Sequence, residues 1–400
     1  MAKVLESSEL DPATRRSIND ALKQMVAADA VVTAAYVAAD ATKQPLDAEL
    51  TAIAGLASAD GTFPAFTGSG TAVLQTLQPG RNVLMNGAFL VNQRAFTSTT
   101  ANGGYGFDRW ANYVVGGSVT MSAQAVTLGS PPATGYETPS SLRQVCSGHS
   151  ATTDYGIIGT YIENVRTLAG ATVTVSFWAK AASGTPSVAI EMIQKFGSGG
   201  SPSSAVTGIC AQKVAITDTW ARYSVTFTVP SLSGKTIGTT ADTSSVQFLL
   251  WTSAGSSYNS RTASLGLQSA TIDFWGIQLE RGSVATPFEL LSYERELAQC
   301  RRWFQRWTDP PLRGTVSLSQ PSRIACPLTP PMRTATWTCT ITGTPLGWDG
   351  STSASIGSVS TTYKRTDKME FDFNGASFVT GRGMVLYDGG GSTFDISCEF

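Results

Sequence analysis

A chain of 400 residues and 42.0 kDa with a formal net charge of −1 is too long for one ordinary core and implies about two or three packing units at roughly 150 residues each. Asp, Glu, Lys and Arg make up only 14% of it, while 39 glycines and abundant Ser and Thr describe a chain rich in turns and strands. The balanced charge offers no basic field for phosphates, so nucleic acid is excluded as a partner class. The longest apolar stretch, residues 25–39, contains Asp29 and falls short of the roughly 18 to 20 residues a bilayer requires, so no membrane span is expected. The start, MAKVLESSEL, meets Glu6 before any apolar run, and no secretory leader is expected. Six cysteines without a CxxC pair, beside the single His149, argue against Cys/His zinc sites and for buried free thiols.

Asp11 and Pro12 form a helix start, since Asp caps exposed amides and Pro at the first helical position has no amide to satisfy. Ile18, Leu22, Met25, Asp29, Val32 and Tyr36 then step by four and three, the spacing of a coiled-coil seam with one polar interruption. One helix cannot bury such a stripe alone. Packing on its own domain is one outcome; self-association is favoured, because Gln44-Pro45 ends the pattern and leads into a thin linker. Residues 1–45 therefore read as a helical stalk. Residues 46–80, with a short helical pattern (Leu46, Leu50, Ile53, Leu56), a turn at Asp60-Gly61 and Pro79-Gly80, read as a connector.

Beyond Arg81 the period changes to two. Val173, Val175 and Phe177 alternate with polar residues, as do Tyr223, Val225, Phe227 and Val229, which marks half-buried strands. VAIEMIQ (188–194), VQFLLW (246–251) and TIDFWGIQL (271–279) add three more, separated by GSGGSPSS (197–204) and TSAGSSYNS (252–260). Strands at this spacing without intervening helices predict a central jelly-roll-like β-sandwich over 81–290. YERELAQCRRWF (293–304) has helical spacing before an aromatic strand, and RTATWTCTITG, MEFDFNG and FDISCEF are strand-like among turn dipeptides. A small C-terminal β domain is expected over 291–400.

NVLMNGAFLVNQR (82–94) followed by GYGFDRW (104–110) resembles the opening of the sandwich domain in tailed-bacteriophage tail fibre proteins. FWGIQLERGSVATPFE (274–289), ELAQCRRWF (296–304) and PLTPPMRTATWT (327–338) follow in the order met in such fibres, and QPLDAELTAIAGL with FTGSGTA is similar to their connector. Met85 stands where the family pattern has leucine, and the final hundred residues are the least constrained by the likeness. The resemblance implies an elongated homotrimer, assembled in the host cytoplasm and carried in the virion. Its N-terminal part would attach to a tail or baseplate protein, and its C-terminal receptor-binding domain would meet the bacterial surface.

Nine tryptophans and eleven tyrosines supply rings on which pyranose CH faces stack while Asp, Asn and Arg orient hydroxyls. Trp178, Trp251 and Trp275 lie in strands and read as core. Aromatic residues beside C-terminal turns are the receptor candidates: Trp348 with Asp349, Tyr363 with Lys364 and Arg365, and Tyr387 with Asp388, with Tyr258 and Asn259 as a second-rank site on the middle sandwich. Glycan cleavage needs two carboxyl groups about 5 Å or about 6.5 to 9.5 Å apart. Glu163, Glu191, Asp273 and Glu280, or Asp367, Glu370 and Asp372, are the acids to weigh, but the turn-punctuated repeat of a β-helix is missing and a solvated face is the plainer reading. No GxSxG accompanies His149, which reads as a loop residue. No cofactor is expected; a structural calcium at Asp108 or Asp154 is allowed, without a DxDxDG loop to support it. Arg295, Arg301, Arg302 and Arg306 lie among Glu294, Glu296 and Asp309 and read as salt-bridged at a junction.

The sequence thus predicts a mainly β, trimeric fibre that binds a bacterial surface polysaccharide, lipopolysaccharide or capsule, without being an enzyme. A structural spacer and a depolymerase are the alternatives.

Overall fold

The computed structural model describes residues 11–41, 50–56, 62–68, 70–76, 80–308, 313–315, 322–343, 346–348, 353–355, 358–374, 383–387 and 392–399. Two compact units divide between Leu77 and Gln78.

In the first unit a helix spans Pro12–Ala41. Asp11 opens it as the residues dictate: its Oδ1 accepts the amides of Ala13 at 2.9 Å and Thr14 at 3.1 Å, and the Thr14 hydroxyl also donates to its carboxylate. Those bonds, the Thr14 hydroxyl first, hold the Asp11 carboxyl below its usual range. The seam residues are exposed, from 43% at Ile18 through Leu22, Met25 and Val32 to 79% at Tyr36. An 18-residue window within the helical residues 12–38 reaches a mean hydropathy of 1.2, so the helix is by length and composition alone long and apolar enough to cross a membrane. The apolar stretch 25–39, expected to fall short of a bilayer, is part of this longer helix. The connector holds a helical turn at 50–54 and a hairpin of β1 (Thr62–Gly68) and β2 (Thr71–Thr76) that the sequence reading had missed.

The second unit begins with twelve antiparallel strands in two six-stranded sheets. In chain order these are β3 (Ser98–Thr99), β4 (Gly104–Tyr105), β5 (Ala111–Val115), β6 (Ser118–Ala125), β7 (Ser140–Ser147), β8 (Tyr155–Glu163), β9 (Thr172–Ala181), β10 (Ser187–Lys195), β11 (Val206–Ala215), β12 (Ala221–Thr228), β13 (Ser245–Ala254) and β14 (Ala270–Arg281). One sheet runs β11-β10-β13-β8-β5-β4 and the other β12-β9-β14-β7-β6-β3, so successive strands repeatedly change sheets and the architecture is a sandwich. Alternate residues meet between the sheets: Val188, Ile190 and Met192 of β10, Val246, Phe248 and Leu250 of β13, and Val173, Val175 and Phe177 of β9 all join the main core. The strand pattern read over 172–178, 188–194, 222–229, 246–251 and 271–279 is present at each place. Five free cysteines, three of them buried, lie among the described residues; burial pushes the Cys146 thiol up to about 11 and keeps it protonated.

After a helix at Tyr293–Arg301 come β15 (Phe304–Thr308), β16 (Arg313–Thr315), β17 (Ser322–Pro327), β18 (Thr338–Thr342), β19 (Leu346–Trp348), β20 (Ser353–Ser355), β21 (Ser358–Lys364), β22 (Lys368–Asn374), β23 (Gly383–Tyr387) and β24 (Thr393–Ser397). They make a three-stranded sheet, β15-β24-β18, and a seven-stranded one, β20-β19-β23-β16-β17-β22-β21. The short motifs at 82–94, 104–110 and 296–304 converge where these strands meet the sandwich. The Arg94 guanidinium pairs with Asp108 at 2.8 Å and lies 3.6 Å over the Phe304 ring; that of Arg109 pairs with Glu399 and lies 3.4 Å over Trp303. Asn86 donates its amide to Glu296 at 2.6 Å, and Gln93 donates to the Phe304 carbonyl at 2.8 Å. Burial lifts the carboxyls of Asp108 and Glu296 to about 6, against the pull of Arg94 on the first and of the Asn86 amide on the second. Asp108, allowed above as a calcium ligand, is spent in this network. Of the arginines read as salt-bridged here, Arg302 pairs with Glu163 at 3.2 Å and Arg306 with Asp395.

Candidate functional site

Register decides which side chains share the face of the β4–β11 sheet that points away from the core. Tyr113 pairs with Ile157, Ile157 with Trp251 and Trp251 with Ala189; one row along, Gly159 pairs with Leu249 and Leu249 with Glu191; the next joins Tyr161, Gln247 and Ile193. Because β13 is covered on both faces it reads as a continuous apolar run. Trp251, 1% exposed, therefore belongs to a second, outer cluster with Ile157, Ile193, Leu249 and Leu265 rather than to the sandwich core.

A loop folds over the end of this row. The amides of Gly255 and Ser257 bond to the carbonyls of Asp154 at 2.8 Å and Thr152 at 3.0 Å, and a Cβ on Gly255 would collide with the Thr152 carbonyl, so only glycine allows the approach. The loop forms a 3-10 turn, Ser256–Tyr258, and a helical turn, Asn259–Thr262, which deliver Tyr258 and Arg261 to the groove. The rings of Tyr155, Trp251 and Tyr258 then stand mutually at 5.1 to 5.7 Å, within the range for edge and tilted aromatic contacts.

Glu191, fully buried, fixes the arrangement. Its Oε1 accepts Arg261 Nε at 2.7 Å and the Gly208 amide at 2.7 Å, and its Oε2 accepts Arg261 Nη2 at 2.9 Å and Trp251 Nε1 at 3.0 Å. Four charge-assisted bonds, including a bidentate fork, satisfy the carboxylate. They hold the guanidinium 5.0 Å from the Trp251 ring and 5.5 Å from that of Tyr258. The resulting cavity of about 200 Å³ is lined by Tyr113, Tyr155, Gln247, Trp251, Tyr258 and Arg261 over a floor of Ile157, Ile193 and Leu249. Burial raises the phenols of Tyr113 and Tyr155 above their ordinary value, so both remain protonated donors. On the next row Lys195 donates to the Tyr161 hydroxyl at 3.1 Å. The cavity therefore offers half-buried aromatic faces, an amide and a fixed guanidinium, which is equipment for ring stacking with oriented hydroxyls.

Of the receptor candidates read from the sequence, Tyr258 lies in this groove. Trp348 is 46% exposed at the end of β19, Arg365 is exposed in the turn after β21, and Tyr363 and Tyr387 sit on β21 and β23. Asp349 and Asp388 lie outside the described residues. β19 and β23 are neighbours, but β21 is the opposite edge, five strand spacings or about 24 Å from β19, so Trp348 and Tyr363 do not share one site. The acids weighed for cleavage are dispersed: Glu163 pairs with Arg302, Glu191 with Arg261, Asp273 with Arg143 at 2.7 Å, and Glu280 accepts from Thr286 at 2.5 Å. Asp154 caps the amides of Ser150 and Ala151, each at 2.9 Å. No group of three or more His, Cys, Asp or Glu suited to a metal occurs among the described residues.

Tyr113, Tyr155, Gln247 and Arg261 escaped the sequence reading, and Glu191 entered it only as an acid to weigh for cleavage. The available signal lay inside VQFLLW and VAIEMIQ, where Gln247 and Glu191 occupy the face opposite Phe248 and Ile190; a polar residue within a run covered on both sides requires a partner.

Comparison with known proteins identifies the class. Residues 150–253 match the family model described as a carbohydrate binding domain, and this segment contributes Tyr155, Ile157, Glu191, Ile193, Gln247, Leu249 and Trp251 to the groove. Residues 150–253 of the sandwich are thus similar to a carbohydrate binding domain. No curated protein matches the chain. Among solved structures, the enzymatically active domain of tailspike protein 4 of bacteriophage CBA120 is 12% identical with a TM-score of 0.30, over 52% of this chain and 22% of that one. A xylan-binding domain from Paenibacillus barcinonensis is 12% identical at 0.28, over 52% and 100%. A family 11 carbohydrate-binding module from Clostridium thermocellum, in complex with a mixed-linked tetrasaccharide, is 12% identical at 0.27, over 48% and 99%. Likeness at this level carries no inference about ligand or partner.

Proposed function

We propose that the protein is a trimeric tail fibre of a tailed bacteriophage that adheres to a bacterial surface polysaccharide, lipopolysaccharide or capsule, through the groove of Tyr113, Tyr155, Trp251, Tyr258 and Arg261. One observation carries the reading: the segment that matches a carbohydrate binding domain supplies Tyr155, Gln247, Trp251 and the anchoring Glu191 of the aromatic cavity, while Tyr113, Tyr258 and Arg261 come from outside it. The ordered motifs from Asn82 to Thr338 that resemble tail fibres support the virion setting, and the exposed helical seam supports self-association. Three chains and several fibres acting together would make weak single sites sufficient. The groove contains no pair of free carboxylates, since Glu191 is occupied by Arg261 and Trp251, which favours binding without cleavage.

Affinity electrophoresis of the purified protein through gels containing lipopolysaccharide or capsular polysaccharides tests the reading. Retardation by at least one polymer without shortening of its chains is expected, with Tyr258→Ala and Tyr155→Ala each weakening it roughly tenfold on the scale of one lost aromatic contact. Shortened polymer would instead establish a depolymerase, and no retardation by any of them would leave a spacer.

A further inference from the structure

The aromatic groove has a polar end, away from its stacking rings. Gln247 stands four residues from Trp251 along β13, about 13 Å away, and lines the groove with 6% of its surface exposed. Among the described residues its side-chain amide makes no hydrogen bond. A buried amide without a partner costs free energy in the empty protein, and a ligand that supplies the missing donor and acceptor recovers that cost. Register sets Tyr161 on one side of Gln247 and Ile193 on the other, with Glu163, Ser245 and Lys195 in the following row. Lys195 reaches over β13, the strand between β10 and β8, to donate to the Tyr161 hydroxyl at 3.1 Å, with its ammonium 4.8 Å from the Tyr161 ring. That bond uses one of the three ammonium donors, and among the described residues no carboxylate ion-pairs with Lys195. The carboxylates of β8 and β10 are both taken, Glu163 by Arg302 and Glu191 by Arg261.

Gln247 and Lys195 are diagonal neighbours on paired strands, with Cβ atoms about 7 to 8 Å apart, so one ligand unit can touch both. We propose that this end of the groove is a subsite for an anionic sugar of the uronic acid class. The sugar carboxylate accepts from the Lys195 ammonium and from the Gln247 amide N–H, while the Gln247 carbonyl oxygen takes a ring hydroxyl. An ammonium with two free donors and no counter-ion favours an anion over a neutral ring. The distance from Trp251 to Gln247 exceeds one sugar ring, so the chain lies along β13, stacked at Trp251 and Tyr258 and charged at Lys195. The ligand class is then an acidic surface polysaccharide. The inference deepens the glycan-binding reading of the same groove and rests on it: the rings hold a pyranose of either kind, and Lys195 with Gln247 selects for charge.

Affinity electrophoresis of the full chain through gels of hyaluronan, alginate or polygalacturonate, each native and after reduction of its carboxyl groups to alcohols, tests the subsite. At least one native polymer is expected to retard the wild type, and its reduced form to bind roughly tenfold more weakly, on the scale of one charged hydrogen bond. Lys195→Met, which keeps the aliphatic stem, should bring the native polymer down to the level of the reduced one, and Lys195→Arg should restore most of the difference. Gln247→Leu should weaken the native polymer while its melting temperature stays equal to the wild type or rises, since no hydrogen bond is lost in the unliganded protein. Equal retention of native and reduced polymers, an unaffected Lys195→Met variant, dextran sulfate held as tightly as the uronates, or a lower melting temperature in Gln247→Leu would each overturn the subsite. If Tyr258→Ala weakens native and reduced polymers that the wild type holds equally, the groove stands and the acidic subsite falls. No retention of any uronate polymer would also overturn it, while a lipopolysaccharide or neutral capsule retained by the wild type and lost in Tyr258→Ala would preserve the groove reading by itself.

Discussion

At the scale of single residues, Arg261 carries two tasks that one substitution separates. It presents a cation beside Trp251 and Tyr258, and it neutralises a carboxylate with no solvent exposure. Removing one member of a buried pair leaves the other charge uncompensated, which costs about 3 to 5 kcal/mol. Arg261→Ala is therefore expected to lower the unfolding free energy by about that much, at the lower end because the guanidinium is 25% exposed. The companion Glu191→Gln, Arg261→Ala variant should recover much of the loss in chemical denaturation while polysaccharide retention stays weak. A double variant as unstable as the single one would mean that burial of charge is not what the pair resolves. Gly159 sets a second constraint: a Cβ there would stand 2.6 Å from Leu249 Cδ2 and 3.0 Å from Tyr113 Cε2, so the floor of the groove tolerates no side chain at that point.

At the scale of elements, the helix Pro12–Ala41 and the strands of the sandwich solve opposite problems. Strands β9, β10, β13 and β14 are buried along most of their length within the second unit, whereas the helix leaves Leu22, Met25, Val26, Val32 and Tyr36 more than half exposed. An apolar stripe of that length is stable in water when sibling helices cover it. Light scattering is expected to give a trimer for the full chain and a smaller species for a chain beginning at Gln78. Leu22→Asp with Met25→Asp in the full chain should lower the assembly state and leave the sandwich unfolding transition unmoved. A monomeric wild type would remove the self-association proposal, and a lipid-dependent change in mass would turn attention to the helix as a membrane segment. The loop that delivers Tyr258 illustrates the same scale: Gly255 and the turn residues after it are ordinary loop chemistry, and their position over Trp251 depends on carbonyls of the distant segment 152–154.

At the scale of the whole second unit, a charged junction connects the sandwich to the terminal strands. Glu296 is 7% exposed and its carboxyl is raised from 4.5 to about 6 by burial. Between those values the folded protein binds the proton more tightly than the unfolded chain. The contribution of this group is therefore fully present below pH 4.5 and lost as pH rises through 6, by about 2 kcal/mol for a shift of that size. Glu296→Gln, whose amide oxygen still accepts from Asn86, should match the wild type near pH 4.5 and exceed it in melting temperature near pH 7. An equal difference at both values would show that the Glu296 carboxyl does not titrate across this window.

Much of this architecture was written in local pattern. The Asp11-Pro12 helix start, the period-two strands from Thr172 onward and the helix before Phe304 follow from residue spacing alone, because caps, turns and alternation act over a few positions. The strands from Ala111 to Glu163 were less legible, as Gly156, Gly159 and scattered polar residues blur their alternation. The groove was legible only through Tyr258. Its other parts come from β5, β8, β10, β13 and the following loop, joined by pairing between residues as remote as Ile157 and Trp251. That kind of proximity is set by sheet register, which no local pattern encodes. The sequence by itself determined a β-rich chain with a helical start and an apolar seam, since these depend on propensity and period. Only the tertiary structure decided that Trp251 faces outward, that Glu191 holds Arg261, and that Trp348 and Tyr363 stand apart, because strand order and register alone bring residues remote in the chain onto one face.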